Sequence, residues 1–556
     1  MEKKLLLGDE AVALGALHAG LSGVYAYPGT PSTEITEFIQ QHPLAKERKV
    51  HSRWCTNEKT AMEAALGMSF MGKRALVCMK HVGMNVCADP FVNSAMTGVN
   101  GGVVVLAADD PSMHSSQDEQ DSRFYGKFAM IPTFEPSSQQ EAYDMMEAAF
   151  DYSEQQCLPV LMRVTTRMAH SRAVVEVKTE ARAENEMNYN AVAANWVLLP
   201  ANARRRNDKV TAQQAQLEED AEKSPYNSGP SLAGRGEKCP LGVIASGIAY
   251  NYVMEYLTPR PTREGTGEGP LPPVLKISQY PLPRKLVRQM LEGCEKVLIV
   301  EEGQPFIEEQ VRGVFESRNV LGRLTGELPR TGELTPDCVA AALRAQMAGG
   351  PDNPETPVTP EIPALVAARP PQLCQGCGHR DVYTALNEVL REYENPRVFG
   401  DIGCYTLGFL PPYRAIHSCV DMGASITMAK GASDAGQWPA VAIIGDSTFT
   451  HSGMTGLLDA VNEGANITVI ISDNLTTAMT GGQDSAGTNK FEAICLGLGV
   501  EPEHLHVVVP LPKNMPEITR ILREEINYRG VSVIIPQREC IQTFKRRKKT
   551  PSKSPL

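Results

Sequence analysis

The sequence has 556 residues, 42% of them hydrophobic, which is enough to bury several cores and to build three or four domains. Lys and Arg number 54 against 65 Asp and Glu, and the net charge of −11 argues against a whole-protein attraction to nucleic acid or to an acidic membrane face. No run of eighteen apolar residues occurs, and the opening MEKKLLLGDEAVALGALHAG has charges and a helical rhythm where a signal peptide needs unbroken apolarity, so a cytoplasmic location is expected. Thirteen cysteines are too sparse for a disulfide scaffold, and in a reducing compartment they are expected to be buried thiols or metal ligands.

From the N-terminus to Arg172, helical patterns alternate with the short apolar runs GVYAYP, RALVCMK, GGVVVLAADD and CLPVLMRV, which predicts a parallel α/β sheet. Residues 173–237 are charged, polar and poor in β-branched side chains, and are expected to form an extended connector carrying some helix. A second α/β unit is predicted over 238–347, with strands LGVIASG, VLKISQ and KVLIVEEG. The repeated prolines of 348–371 predict a linker. A third α/β domain follows over 372–544, its strands PAVAIIGD, ITVIISDN and VSVIIPQ being continuous apolar runs of the sort found in sheets covered on both faces. The basic tail 545–556 is expected to be disordered, a solvated charge run ranked ahead of a docking site for an acidic carrier.

The most informative segment is AIIGDSTFTHSGMTGLLDAVNEGANITVIISDNLTTAM. One strand ends at Gly445, Asp446 and Ser447 and the next at Asp473 and Asn474, and neighbouring parallel strands converge their carboxyl ends on one crevice. A carboxylate from Asp446, an amide oxygen from Asn474 and a backbone carbonyl from Thr476 suit Mg²⁺, which shares its shell with phosphates. A helix beginning near Ser452 would offer its N–H groups to a diphosphate, and Gly445 lets the backbone approach closely. Gly-Asp-Ser, 26 residues and then Asn474 resembles the signature of thiamine-diphosphate enzymes, in which the third residue is more often Gly. The alternative is a generic strand-end Asp and a turn Asn.

TNEKTAMEAALGMSFMGKRALVCMKHVGMNVCADP resembles the pyrimidine-binding domain of indolepyruvate:ferredoxin oxidoreductases, with Glu58 at the position of the carboxylate that polarises the cofactor's aminopyrimidine. Glu63, on the same predicted helix, is ranked behind it as a surface charge. The resemblance extends to AYPGTPSTEI, where Thr30 matches a residue near the 2-oxo acid, and to ADDPSMHSSQDEQDSRFYGKFA, where Arg123 is a candidate partner for the substrate carboxylate. Lys80 and His81 follow a strand at the end where active-site loops gather, and His81 is a catalytic candidate with a structural role as its alternative. Met422 and Gly423 are grouped with Glu58, Gly445, Asp446, Ser447 and Asn474 as cofactor-binding positions.

Cys374 and Cys377 form a CxxC pair next to His379, with Cys404 in GDIGCYTLG and Cys540 in IIPQREC. The set resembles the cluster-bearing subunit of 2-oxoacid:ferredoxin oxidoreductases, in which such cysteines ligate one [4Fe–4S] centre beside the thiamine. Structural zinc and no metal are the alternatives. The other cysteines read as core thiols.

The resemblance runs from about Gly8 to Cys540. Typical members continue into a ferredoxin-like domain with further CxxCxxCxxxC runs, of which none follows Cys540 here, so electrons are expected to leave through another polypeptide. It implies three doubly wound parallel-sheet domains: pyrimidine-binding, accessory transketolase-C-like and diphosphate-binding. It also implies thiamine diphosphate, Mg²⁺ and one [4Fe–4S] cluster, and oxidative decarboxylation of an aryl pyruvate with coenzyme A to an aryl-acetyl-CoA and CO₂. Electrons would pass to the cluster and on to ferredoxin or another carrier. A smaller partner subunit and a dimer of the large subunit are implied too. The rivals are a non-oxidative thiamine-dependent decarboxylase and a catalytically silent thiamine-binding subunit.

Overall fold

The computed structural model describes all residues except 189–191, 197, 199, 230–237, 259–270, 314–318, 330–331, 348–371, 420–421, 435–436 and 550–556. The chain divides into two compact units, Met1–Glu361 and Ile362–Leu556. The proline-rich linker expected over 348–371 lies outside the described residues.

The first unit contains two predominantly parallel sheets. The larger has seven strands in the order Gln279–Tyr280, Thr133–Phe134, Val160–Thr165, Val103–Asp109, Ala75–Lys80, Gly23–Ala26 and His51–Trp54. Its inner strands are buried along their whole length, the reason they read as unbroken apolar runs. The smaller has four parallel strands, Val274–Ile277, Cys239–Ser246, Cys294–Val300 and Val320–Leu321. The two are stitched together. Gln279–Tyr280, which follows a strand of the small sheet by one residue, pairs antiparallel with Thr133–Phe134 of the large one, so the accessory sheet shares a compact unit with the first.

The expected extended connector contains a 24-residue helix, Pro200–Lys223. Its polar composition conceals Val210, Leu217 and Ala221, which fall on one face at helical spacing and are buried.

The second unit is a six-stranded, all-parallel sheet in the order Ser418–Cys419, Arg397–Gly400, Ala440–Gly445, Ile467–Ser472, Val531–Pro536 and Leu505–Val508. Apolar side chains cover both faces, one cluster built on Tyr383, Leu386 and Ile443 and the other on Ile444, Phe449 and Val469. The tail is not wholly irregular: Ile541–Lys549 is helical. No helix among the described residues is long and apolar enough to cross a membrane.

Candidate cofactor and cluster sites

In the second unit the carboxyl ends of two adjacent strands, Ala440–Gly445 and Ile467–Ser472, supply the predicted Asp446, Ser447, Asn474 and Thr476. The helix after Gly445 starts at Asp446 itself, six residues earlier than expected, and passes through a π-helical turn over Phe449–Gly453 before Met454–Asn462. Asp446 Oδ1 accepts from its neighbour Ser447 N at 2.6 Å, and Oδ2 accepts from Thr476 N at 3.1 Å across the crevice. Asp446 and the Asn474–Thr476 loop therefore meet as the strand argument requires. Burial, followed by the nearby Asp473, pushes the Asp446 carboxyl up to about 7, a disposition that a cation would reverse. Asn474 Oδ1 is buried without a hydrogen-bond partner, and Leu475 between the ligand candidates takes a left-handed φ of 63°. A buried acceptor with no donor is what a hard cation satisfies. The donor set of carboxylate, amide oxygen and backbone carbonyl fits Mg²⁺.

Gly445 and Gly423 are cradle positions. A Cβ on Gly445 would stand 2.7 Å from the Tyr405 ring, and one on Gly423, at φ +98°, would stand 2.7 Å from Ser452 Cβ. The Met422–Gly423 loop thus touches the π-helical turn Phe449–Gly453. Asp401, which sequence reasoning passed over, anchors that loop by accepting from Gly423 N and Ser425 N, each at 3.2 Å, and it bonds Tyr405 OH. Its signal was the strand-end GDIGC, visible only as a cysteine motif.

Cys374, Cys377, Cys404 and Cys540 come from four loop positions and line one cavity of about 120 Å³, together with Asp473 and Asn474. Cys540 N donates to Asn474 O at 3.0 Å, so the last cysteine hangs directly on the Asn474–Thr476 loop. Burial first, then the neighbouring thiols and Asp446, pushes the Cys404 thiol up to about 12. Such a cluster of thiols gains most from a cation that takes their protons. Cys377 Sγ lies 3.1 Å from His379 Nδ1, and burial holds that imidazole down at about 4, so it is neutral.

In the first unit Glu58 opens the helix Glu58–Phe70, after the cap in which Asn57 Oδ1 accepts from Thr60 N at 2.9 Å. It is only 5% exposed and lies against the helix His81–Thr97. A Cβ on Gly83 would be 2.6 Å from Glu58 Oε1, so this glycine, missed in the sequence, makes room for the carboxylate. Glu63 sits on the exposed face, paired with Lys59, which removes it as a rival.

Thr30, Lys80 and His81 gather around one loop. Lys80 Nζ donates to Ser115 O at 2.7 Å, and Ser115 Oγ donates to Thr30 O at 3.4 Å. Burial holds the Lys80 ammonium down at about 8 against the pull of Asp110 and Asp118. His81 Nε2 faces Asp118 O at 3.3 Å, and its buried Nδ1 has no hydrogen-bond partner.

Arg123 does not serve as expected. It is fully buried, with Asp121 Oδ2 at 2.5 Å and Glu301 Oε2 at 2.9 Å, and its remaining N–H groups reach Ser246, Tyr280 and the carbonyls of Glu302 and Gln304. All five guanidinium N–H groups are engaged, leaving none for a substrate carboxylate. The partners lie on or beside strands of the seven-stranded and the four-stranded sheets, so Arg123 is an internal clamp.

Models of two known families match the chain, one within each compact unit. The C-terminal TPP-binding domain of thiamine pyrophosphate enzymes matches residues 401–535, and the thiamine diphosphate-binding region of pyruvate flavodoxin/ferredoxin oxidoreductases matches residues 14–222. Fold, motifs and family models together define a thiamine-diphosphate-dependent oxidoreductase that acts on 2-oxo acids. The chain is 38% identical to indolepyruvate oxidoreductase subunit IorA of Methanothermobacter thermautotrophicus, over 97% of this chain and 87% of that protein. It is 36% identical to the subunits of the same name from Archaeoglobus fulgidus, over 99% and 89%, and from Pyrococcus abyssi, over 97% and 86%. It belongs to the family of indolepyruvate oxidoreductase IorA subunits. Among solved structures, a chain of 2-oxoglutarate:ferredoxin oxidoreductase from Magnetococcus marinus aligns with a TM-score of 0.47 and 16% identity, over 62% of this chain and 65% of that one.

Proposed function

We propose that this chain is the large subunit of an enzyme that oxidatively decarboxylates an aryl pyruvate such as indolepyruvate. Coenzyme A receives the acyl group to give an aryl-acetyl-CoA and CO₂, and the electrons leave through a [4Fe–4S] cluster to ferredoxin or another carrier. A smaller subunit completes the enzyme, and the large subunit forms a dimer. The substrate and the partner rest on the names of the IorA relatives. The oxidative route rests on one observation above the rest: four cysteines from three separate chain segments line one cavity with Asp473 and Asn474.

Thiamine diphosphate, when bound, supplies the carbanion that attacks the 2-oxo group and holds the charge released with CO₂. Each unit carries residues suited to one part of it. Asp446, Asn474 and the Thr476 carbonyl would hold Mg²⁺ on the diphosphate, with Ser447, Met422 and Gly423 beside them. Glu58 would hold a proton at the aminopyrimidine nitrogen, and its burial against Gly83 removes the water that would weaken that bond. With Arg123 committed elsewhere, Lys80, which packs against Gly29 and bonds the same Ser115 that donates to Thr30 O, is assigned to the substrate carboxylate. Cys374, Cys377, Cys404 and Cys540 would ligate the cluster, and Cys540 connects it to the cofactor through its backbone bond to Asn474.

Turnover with indolepyruvate, coenzyme A and a viologen acceptor tests the proposal. A Glu58→Gln variant is expected to bind cofactor and lose turnover. An iron-free protein that releases CO₂ and an aldehyde would contradict the cluster assignment.

A further inference from the structure

A separate group of side chains in the first unit has no part in this chemistry. Asp9 lies in the first turn of the helix Gly8–His18, Glu34 in the first turn of Thr33–Gln41, and His170 ends the helix Thr166–His170. One ligand-type atom from each lies within 4.8 Å of the other two, the only such group of His, Cys, Asp and Glu side chains among the described residues. The arrangement is forced by close packing. A Cβ on Gly8 would stand 2.1 Å from Met168 O, so the helix that carries His170 rests directly on the start of the helix that carries Asp9.

Asp9 supplies the second observation. Its side chain is completely buried and both carboxylate oxygens lack hydrogen-bond partners. Glu34 is half-exposed and already faces the imidazole: His170 Nε2 stands 3.7 Å from Glu34 Oε2, an ion pair that holds the Glu34 carboxyl below its usual range. A buried carboxylate without donors is costly unless a proton or a cation compensates it. Helix-capping does not account for it, because Glu10 makes the cap instead, accepting from Leu7 N at 2.8 Å. Burial, then the Glu34 and Glu10 charges, pushes the Asp9 carboxyl well above its usual range.

We propose that Asp9, Glu34 and His170 bind one divalent transition-metal cation of the zinc type, completed by water from the exposed side of His170. Two carboxylates and one imidazole make a three-ligand set of this class, with donor atoms about 3.4 Å apart in a tetrahedral site, within reach of small side-chain adjustments from the present geometry. The imidazole discriminates against Mg²⁺, which prefers oxygen donors. The ion joins three chain segments, one of which begins three residues after Thr30, and so stiffens the base of the loop assigned to the substrate.

The test is isothermal titration of Zn²⁺ into the cluster-loaded enzyme in millimolar Mg²⁺ and thiamine diphosphate, comparing wild type with His170→Gln and Asp9→Asn. One zinc per chain is expected in the wild type, with affinity at least tenfold weaker in both variants and a zinc-dependent rise in melting temperature seen only in the wild type. His170 is exposed, so its variant folds even if Asp9→Asn does not. Two results would overturn the proposal: no saturable uptake by the wild type, which leaves a proton shared between Asp9 and Glu34, or wild-type zinc affinity in His170→Gln.

Discussion

Gly83→Ala tests whether the pocket around Glu58 is built to a tolerance that matters. The added Cβ would lie 2.6 Å from Glu58 Oε1, 2.7 Å from Cγ and 2.9 Å from Cδ, whereas ordinary contact begins at 3.4 Å. The carboxylate must retreat by about 0.8 Å, and misplacement on the order of 1 Å costs roughly 100-fold in rate. Helix stability changes little: alanine in a helix interior gains up to about 1 kcal/mol over glycine, set against about 1–3 kcal/mol of overpacking. The variant should stay folded, bind thiamine diphosphate, and lose about 10- to 100-fold both in turnover and in exchange of the cofactor's thiazolium proton, read by NMR after acid quench. Gly67→Ala is the control, since a Cβ there meets nothing within 4 Å. Proton exchange at the wild-type rate in folded Gly83→Ala would refute the assignment of Glu58.

Other outcomes follow from the same geometry. Asn474→Ala should weaken Mg²⁺ and thiamine diphosphate binding at least about tenfold, measured by cofactor-quenched fluorescence, because a buried oxygen without an internal partner, assigned to the metal, is lost. Arg123→Met should cost about 3–5 kcal/mol in denaturant unfolding by stranding Asp121 and Glu301, and any folded fraction should keep the wild-type KM for the oxo acid; a raised KM without destabilisation would restore Arg123 to the substrate. Lys80→Met is expected to raise that KM about tenfold or more while cofactor affinity is unchanged. Burial, more than the surrounding positive charges, holds His18 down at about 4, so its neutral form is favoured in the fold. The associated stability is fully present above pH 6.5 and is lost as pH falls toward 4, about 1–2 kcal/mol after allowance for its half-exposed position. His18→Gln should flatten that part of the melting-temperature profile.

Much of the site was legible because parallel strands end where ligands bind. The runs PAVAIIGD and ITVIISDN marked two strand ends, so Asp446 and Asn474 were predicted to meet, and Thr476 N does bond Asp446. The cysteines were legible by type and by resemblance, although nothing in their spacing alone brings Cys540 to Cys374. What stayed hidden depends on distant partners. Arg123 sits in a polar segment that looks solvated, yet its counter-charges include Glu301 beside a strand of a different sheet. Gly83 carries no side chain to attract notice, and only the approach of Glu58 reveals its purpose. The helix Pro200–Lys223 was obscured by sparse apolar positions, and the helix start was misplaced because Asp446 and Ser447 resemble a loop until the Asp446 carboxylate is seen bonding the Ser447 N–H. The tail was read from charge alone, which does not distinguish a solvated helix from an irregular chain.

The most direct test is to purify the protein anaerobically with any co-purifying subunit, add thiamine diphosphate, Mg²⁺ and indolepyruvate, and follow the visible iron–sulfur absorbance. The four-cysteine cavity beside the Asn474–Thr476 loop predicts a brown protein whose absorbance bleaches on substrate addition, with bleaching lost in Cys404→Ser. A colourless, iron-free protein that still releases CO₂, or a cluster that substrate never reduces, would contradict the account.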